Sequence, residues 1–147
     1  MAMSDPKNAA KLRHAYEQWH KTKGQSVDTW MDLFADNVRL RSLAGGRPGA
    51  DFTREVRSKM EMGKYFSGLL GDWDMIHYTA DEFIVDGDRI AMRGSTAWRH
   101  RKTGRQIETR KADFVTFKDG KIVEFEEFYD TAGLLAAVQP LDDAPKT

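Results

Sequence analysis

The 147-residue sequence has no cysteine, which excludes disulfide bonds, thiol catalysis and thiolate metal ligands. It has no excess of charge of either sign: 23 basic side chains balance 23 acidic ones, so nothing attracts it generally to nucleic acid or anionic membrane. No apolar run approaches the roughly 20 residues that span a bilayer, and residues 1–8 lack the apolar segment of a signal peptide. We therefore expect a cytoplasmic protein that binds neither nucleic acid nor membrane.

Signatures of metal, phosphate and cofactor binding are also missing. None of the four histidines has a second ligand at i, i+4 spacing with an accompanying carboxylate, so we predict no metal site. The glycine-rich stretch 43–53 lacks the Lys-Ser/Thr pair of a phosphate-binding loop and is expected to be a pocket lid or a plain connector. The basic run from Arg99 to Lys111 surrounds a predicted hairpin and is interpreted as exposed surface. No cofactor is expected.

Hydrophobic periodicity predicts helices followed by strands. Helical spacing of apolar residues covers 9–23, 26–34, 54–70 and 131–138. Strand patterns cover 38–42, 73–85 with an irregularity near Thr79-Ala80, and three segments between Arg89 and Asp130. This order predicts an α+β fold in one domain, 1–147, with flexible tails at 1–8 and 140–147.

The same element order predicts the shape of the molecule. Three N-terminal helices would cover the concave face of a strongly curved, mainly antiparallel sheet, and a short helix would follow it. Such a sheet forms a cone with an open end, which is a natural pocket for a small molecule.

Two turns decide which strand side chains face that pocket. A two-residue Thr-Gly turn would place Trp98 opposite Thr109, and a three-residue Lys-Asp-Gly loop would place Lys111 opposite Glu127. Because side chains alternate along a strand, one mostly apolar face then follows. Its predicted members are Met92, Gly94, Thr96, Trp98, Thr109, Lys111, Asp113, Val115, Val123, Phe125, Glu127 and Tyr129.

Two carboxylates on this apolar face are the candidate catalytic groups. Burial raises the pKa of a carboxyl group and can poise Glu127 or Asp113 as a general acid or base. Lys111 beside Glu127 supports the alternative of a buried ion pair, with Asp113 hydrogen-bonded to a helix residue. Both interpretations remain open from the sequence.

Hydroxyl and aromatic side chains complete the predicted site. Tyr16, Tyr129 and Ser42 could donate hydrogen bonds to a substrate oxygen, or could be ordinary core residues. Five aromatic side chains are expected to form the walls and to contact a ligand: Trp19, Trp30, Phe34, Trp98 and Phe125.

The opposite face of the strands carries Phe114 and Phe128 among alternating arginines and glutamates. A flat apolar strip with complementary charges suits an isologous contact between two copies of the chain. We therefore predict a homodimer through this face.

Two stretches resemble the nuclear transport factor 2-like superfamily, near its SnoaL-type and ketosteroid-isomerase-like branches. They are 30–38, Trp-Met-Asp-Leu-Phe-Ala-Asp-Asn-Val, and 119–130, Asp-Gly-Lys-Ile-Val-Glu-Phe-Glu-Glu-Phe-Tyr-Asp. The resemblance covers nearly the whole chain and implies the cone fold and a dimer. Because this fold hosts many chemistries as well as binders without activity, it implies no particular reaction.

Site residues of two branches can be carried over by position. Ketosteroid isomerases resemble the chain at Asp113, where they keep a protonated aspartate, and at Tyr16, but their proton-shuttling aspartate falls on Ser42. Limonene-epoxide-hydrolase-like enzymes resemble it at Glu127, where they carry a catalytic aspartate. Their four other polar groups fall on Gly94, Thr96, Leu40 and Ser42. Neither set is complete.

The sequence predicts a pocket for a small, apolar, oxygen-bearing molecule and cofactor-independent proton transfer, as in isomerisation, dehydration or cyclisation. Glu127 would be the general acid or base, Asp113 or Tyr16 would donate to oxyanion charge, and Lys111 would tune Glu127. The alternative is a ligand-binding or dimeric association module without catalysis.

Overall fold

The computed structural model describes residues 6–140. Its helices are α1 (Pro6–Lys21), α2 (Val27–Leu33), α3 (Lys59–Asp72) and α4 (Thr131–Ala137), with a 3₁₀ turn at Asp51–Thr53. Its strands are β1 (Phe34–Ser42), β2 (Trp73–Asp86), β3 (Arg89–His100), β4 (Gln106–Lys118) and β5 (Lys121–Phe128). The sheet order is β1-β5-β4-β3-β2, antiparallel except for the parallel pair β1 and β5. The predicted α+β fold, with three N-terminal helices and one C-terminal helix, is confirmed.

The helix ends differ from the predicted ones for local reasons. α1 begins at Pro6, because proline is well suited to the first helical position. The predicted tails therefore lose residues 6–8 to this helix, and residues 1–5 and 141–147 lie outside the described residues. Among residues 6–140, no helix is both long and apolar enough to cross a membrane.

α3 begins five residues later than predicted. Val56 pairs with Leu40 as an extended bridge, and the helix starts after Ser58, whose hydroxyl accepts a hydrogen bond from the Glu61 amide. This changes the buried face of the helix. Met60, one of the apolar residues of the predicted helix 54–70, is 79% exposed, and Met62 is buried instead.

The predicted strand register is wrong by two residues in both hairpins, although the faces are right. Trp98 lies opposite Ile107, because the amide of His100 donates to the carbonyl of Arg105 and four residues, 101–104, lie between this pair instead of two. Asp113 lies opposite Glu127, because a two-residue turn joins β4 to β5 and the pairing of the two strands shifts once more between Thr116 and Phe117.

This irregularity at Thr116 also changes which β5 residue is buried. Ile122 lies in the core in place of Val123, which was predicted to face inward. A shift by an even number of residues changes the partner across the sheet but keeps each side chain on its face.

The irregularity predicted near Thr79-Ala80 is present as a break in the β2–β3 register between Ala80 and Glu82. It brings the backbone of β2 against Gly94 on β3. A Cβ atom at Gly94 would lie only 1.9 Å from the carbonyl oxygen of Thr79. Glycine is therefore required at this position for the sheet to bend.

The core lies between the helices and one face of the sheet. Apolar residues of α1 pack with Trp30 and Phe34 against the buried strand residues. They are Leu12, Ala15, Tyr16 and Trp19. Burial of this apolar surface is the main favourable term in folding. Two of its buried polar residues, Asp113 and Glu127, lie on the same inward face of the sheet.

Candidate active site

Three charged side chains meet on the inner face of the sheet. The ammonium Nζ of Lys111 lies 2.6 Å from Oδ1 of Asp113 and 3.0 Å from Oε2 of Glu127. Lys111 and Asp113 are two residues apart on β4, and Asp113 faces Glu127 across the β4–β5 ladder. The alternation of side chains in a strand and the strand pairing are therefore sufficient to assemble the cluster.

Tyrosine hydroxyls supply the remaining hydrogen bonds to the two carboxyl groups. Tyr16 on α1 donates to Oδ2 of Asp113 at 2.6 Å, and Tyr78 on β2 donates to the same oxygen at 3.3 Å. Tyr65 on α3 donates to Oε1 of Glu127 at 2.8 Å. Helices and strands far apart in the chain thus converge on one network, in which all four carboxyl oxygens have a partner.

Burial and charge act in opposite directions on these groups. Burial raises the pKa of the Asp113 carboxyl, and the attraction of Lys111 only partly offsets this. Burial lowers the pKa of Lys111, but Asp113, Tyr78 and Glu127 together raise it well above its ordinary value. Lys111 therefore remains a cation, while Asp113 holds a proton more readily than an exposed aspartate does.

The same burial raises the pKa values of the tyrosines. For Tyr16 and Tyr65, burial and then the nearby carboxylates raise the pKa well above its ordinary value. Burial also raises the pKa of Tyr78. Burial and the charge of Glu127 raise the pKa of Tyr129 to about 12. All four hydroxyls therefore stay protonated at neutral pH. Tyr16, Tyr65 and Tyr78 donate to the carboxyl groups, whereas the Tyr129 oxygen accepts a hydrogen bond from the Ala44 amide.

An interior cavity of about 100 Å³ lies against this network. Lys111 and Glu127 form part of its wall, and most of the remaining wall is aromatic or aliphatic. The predicted site residues that line it are Tyr16, Trp19, Trp30, Phe34, Trp98, Lys111, Phe125, Glu127 and Tyr129. A bound molecule would therefore meet one ammonium and one carboxylate in otherwise apolar surroundings.

Two predicted site residues do not line the cavity. Asp113 is fully buried behind Lys111 and Tyr16, and its oxygens are occupied by them and by Tyr78. Ser42 is hydrogen-bonded to the Tyr129 hydroxyl at 2.5 Å. The geometry therefore favours Lys111 and Tyr16 over Asp113 as groups that could contact a bound molecule.

The hydrogen bonds of Tyr65 and Tyr78 were not predicted from the sequence. Tyr65 falls within the predicted helix 54–70 and Tyr78 within the predicted strand 73–85, but neither pattern connects the residue to a carboxylate. Their contacts join residues 62 and 35 positions apart in the chain, so no local pattern reports them. The available signal was that a buried tyrosine hydroxyl needs a partner, and that two buried carboxylates need donors.

Among residues 6–140, no group of three or more histidine, cysteine, aspartate or glutamate side chains is arranged to hold a metal ion. The carboxylates instead have a lysine and tyrosines around them. The arrangement suits proton transfer and hydrogen bonding by side chains.

Comparison with known proteins places the chain in a family. No curated protein matches the chain. A structure from Burkholderia thailandensis, an NTF2-like protein, is 26% identical, with a TM-score of 0.76, covering 94% of this chain and 100% of the other. An NTF2-like protein of unknown function from Burkholderia pseudomallei is 24% identical, with a TM-score of 0.78. The match covers 93% of this chain and 99% of the other. A third structure is a protein from Catenulispora acidiphila with a ketosteroid isomerase-like fold, in complex with trimethylamine. It is 13% identical, with a TM-score of 0.70, and the match covers 92% of this chain and 97% of the other.

The matching family model is that of the SnoaL-like domain, and it covers residues 12–125. This span runs from the first core residue of α1 to Phe125, which lines the cavity, and the resemblance stated from the sequence is confirmed. The chain belongs to the SnoaL-like domain family, within the NTF2-like fold.

Proposed function

We propose that this protein catalyses proton transfer at a carbon atom beside a carbonyl group, as part of an isomerisation, a dehydration or a cyclisation. The observation that carries the proposal is the pairing of Glu127 with Lys111 in the wall of an apolar cavity, 3.0 Å apart. A carbonyl compound in the cavity could place its α-carbon against the carboxylate and its oxygen near the ammonium. Removal of the α-proton would then leave enolate charge next to a fixed cation.

Each residue of the network has a role in this proposal. Glu127 takes the α-proton and returns it to carbon, and Lys111 stabilises the negative oxygen. Asp113 and Tyr65 are positioning residues, since Asp113 binds Lys111 at 2.6 Å and Tyr65 binds Glu127 at 2.8 Å. Tyr16 lines the cavity, and its single O–H, which donates to Asp113, would serve as a second donor by turning from that carboxyl to the negative oxygen.

The size of the cavity limits what enters it. Its volume of about 100 Å³ is below the roughly 150 Å³ of an engineered cavity that holds benzene, and below the roughly 300 Å³ of a small ligand pocket. We therefore infer that only the reacting end of a substrate occupies it. That end is small and apolar apart from its carbonyl oxygen.

Hydrogen–deuterium exchange tests the chemistry without knowledge of the product. Butan-2-one in D₂O loses its α-protons when a base removes them and deuterium replaces them, and proton NMR follows this loss. The native protein should accelerate the exchange, and Glu127→Gln should remove at least about 99% of the acceleration, in line with the loss of a general base. Melting curves should show that both proteins are folded.

The neighbouring glutamate provides a matched control. Glu126 is half-exposed on the opposite side of β5, 3.7 Å from Arg41, so Glu126→Gln makes the same chemical change outside the cavity. Exchange should be unchanged in this variant. Equal exchange rates in Glu127→Gln and native protein would contradict the proposed role of Glu127.

A binding protein without catalysis is the second candidate function. It is favoured by the occupation of both Glu127 oxygens, one by Lys111 and one by Tyr65, because a carboxylate with both oxygens paired can serve as one half of a structural ion pair. In that case ketones would bind and raise the melting temperature but would not exchange their α-protons.

We also propose that two copies associate through the outer face of the sheet. Phe114 is 45% exposed there, and its ring meets that of Phe128 at 5.6 Å. Ion pairs flank these rings, including Arg93 with Glu82 at 2.7 Å. Exposed aromatic rings beside both signs of charge form a self-complementary surface.

A further inference from the structure

A second space lies beside the cavity, and two residues form a wall common to both. This groove has a volume of about 900 Å³, and Phe52 and Tyr65 line the groove as well as the cavity. Phe52 belongs to the 3₁₀ turn and is half-buried, so it is less firmly packed than the core rings. Tyr65 is also the residue that binds Glu127. The groove therefore begins one side chain away from the proposed base.

A second pair of residues joins the two spaces. Trp73 lines the cavity, and its ring meets that of His100 at 4.8 Å; His100 in turn lines the groove. The indole nitrogen of Trp73 is buried and has no hydrogen-bond partner among residues 6–140. Trp73 and His100 thus form a second aromatic contact between the cavity and the groove.

The charges along the groove indicate what kind of group would occupy it. Its cations are Arg54, Lys64 and Lys102, and its anions are Asp51, Glu55, Glu61 and Asp72. Several of these already have partners: Arg54 lies 4.0 Å from Asp51, and Glu55 lies 2.7 Å from Arg39. The groove is thus rich in donors and acceptors but has no excess of positive charge, so it favours an uncharged polar chain over a carboxylate or phosphate.

We propose that the substrate spans both spaces, with a small carbonyl-bearing end in the cavity and an uncharged hydrogen-bonding chain, such as a hydroxylated amide, in the groove. This inference rests on the proposed function and names the substrate class of the same site. The small cavity holds the reacting end, and the groove supplies the volume that the rest of the molecule needs. Contacts away from the reacting carbon would then position it against Glu127.

Four methyl ketones test the inference on the full-length protein. They are butan-2-one, N-(2-hydroxyethyl)-4-oxopentanamide, 4-oxopentanoate and octan-2-one. NMR titration gives a dissociation constant for each. The amide should bind at least about tenfold more tightly than butan-2-one, which is about the gain expected from one or two well-formed hydrogen bonds. It should also bind more tightly than the carboxylate and the octanone; equal binding of the amide and butan-2-one, or tighter binding of the carboxylate, would overturn the inference.

Because the chain has no cysteine, the groove can be blocked at one chosen position. Lys64→Cys on α3, modified with N-phenylmaleimide, places a bulky ring in the groove. Met60→Cys, one turn earlier on the same helix and 79% exposed, is the matched control. The label at 64 should reduce the affinity of the amide to that of butan-2-one and leave butan-2-one binding unchanged, whereas the label at 60 should change neither. Unchanged amide binding with the label at 64 would show that the chain lies elsewhere.

These measurements separate the two proposals. If the amide binds through the groove but no ketone exchanges its α-protons, the substrate class stands and the proton-transfer function fails. If butan-2-one exchanges rapidly but the amide gains nothing, the function stands and the inference about the groove is wrong.

Discussion

Asp113 and Glu127 face each other directly across the β4–β5 ladder, and the ammonium of Lys111 lies within 3.0 Å of a carboxyl oxygen of each. Two buried carboxylates therefore share one buried cation. If both are ionised, the group has a net negative charge inside the core, which is costly in a medium of low polarity. Three tyrosine hydroxyls and the raised pKa of Asp113 reduce that cost.

Removal of the cation should destabilise the protein strongly. Lys111→Met leaves Asp113 and Glu127 without their positive partner, and the loss of one member of a buried ion pair costs about 3–5 kcal/mol. Urea unfolding at neutral pH measures the loss. Because protonation of a carboxyl group relieves the uncompensated charge, the variant should regain stability as the pH is lowered towards about 5.

Lys118→Met, at the exposed end of β4, is the control for this change. It should alter the free energy of unfolding by less than about 0.5 kcal/mol, as exposed substitutions usually do. A loss in Lys111→Met no larger than in Lys118→Met would contradict the importance of the buried cation.

The four tyrosines should not titrate near their ordinary pKa of about 10 while the protein is folded. The pKa is raised for all of them, to about 12 for Tyr129. The near-ultraviolet absorbance of tyrosinate should therefore rise near pH 10 in denaturant, but only at about pH 12 and above in the native protein. Because the unfolded chain releases these protons first, stability should fall as the pH rises above about 10.

Tyr129→Phe tests whether Tyr129 is the first of the four tyrosines to lose its proton as the pH rises. Tyr129 is the least buried of the four, so its removal should abolish the earliest rise in absorbance before unfolding begins. A native protein whose tyrosines titrate at about pH 10 would show that water reaches the network.

Gly94→Ala should destabilise the fold at the bend of the sheet. The new Cβ would lie 1.9 Å from the Thr79 carbonyl oxygen, so the backbone of β2 must move, at a cost of about 1–3 kcal/mol or more. Gly63→Ala in the middle of α3 is the matched change, since nothing lies within 4 Å of its new Cβ. That variant should be stabilised by about 0.5–1 kcal/mol. Similar unfolding curves for the two variants would contradict the close approach at Gly94.

Phe128→Glu should separate the proposed dimer. A carboxylate at the place where Phe128 meets Phe114 would be buried against a second copy of the same surface, and charges are strongly disfavoured in such a contact. Sedimentation velocity should show a monomer for the variant and a dimer for the native protein. Met60→Glu is an exposed control far from these strands in sequence, and its mass in solution should match the native one. A Phe128→Glu variant that remains dimeric would place the interface on another surface.

The fold class, the family and the face of most strand residues could be predicted from the amino-acid sequence alone. Alternation in a strand has a period of two, so a register error of two residues in each hairpin left the predicted faces correct except beside the irregularity at Thr116, where Ile122 and not Val123 is buried. The order of helices and strands and the stretches 30–38 and 119–130 identified the fold, because both are properties of the chain itself.

Which groups are in contact, and how much space they enclose, depends on how the helices and strands pack. The direct opposition of Asp113 and Glu127 depends on loop lengths, and the hydrogen bonds from Tyr65 and Tyr78 depend on the packing of α3 and β2 against the other strands. The cavity of about 100 Å³ is the space that the core side chains leave unfilled, and no single segment encodes it. Short-range patterns set the direction of a side chain, whereas contacts across long distances in the chain set its partners and therefore its chemistry.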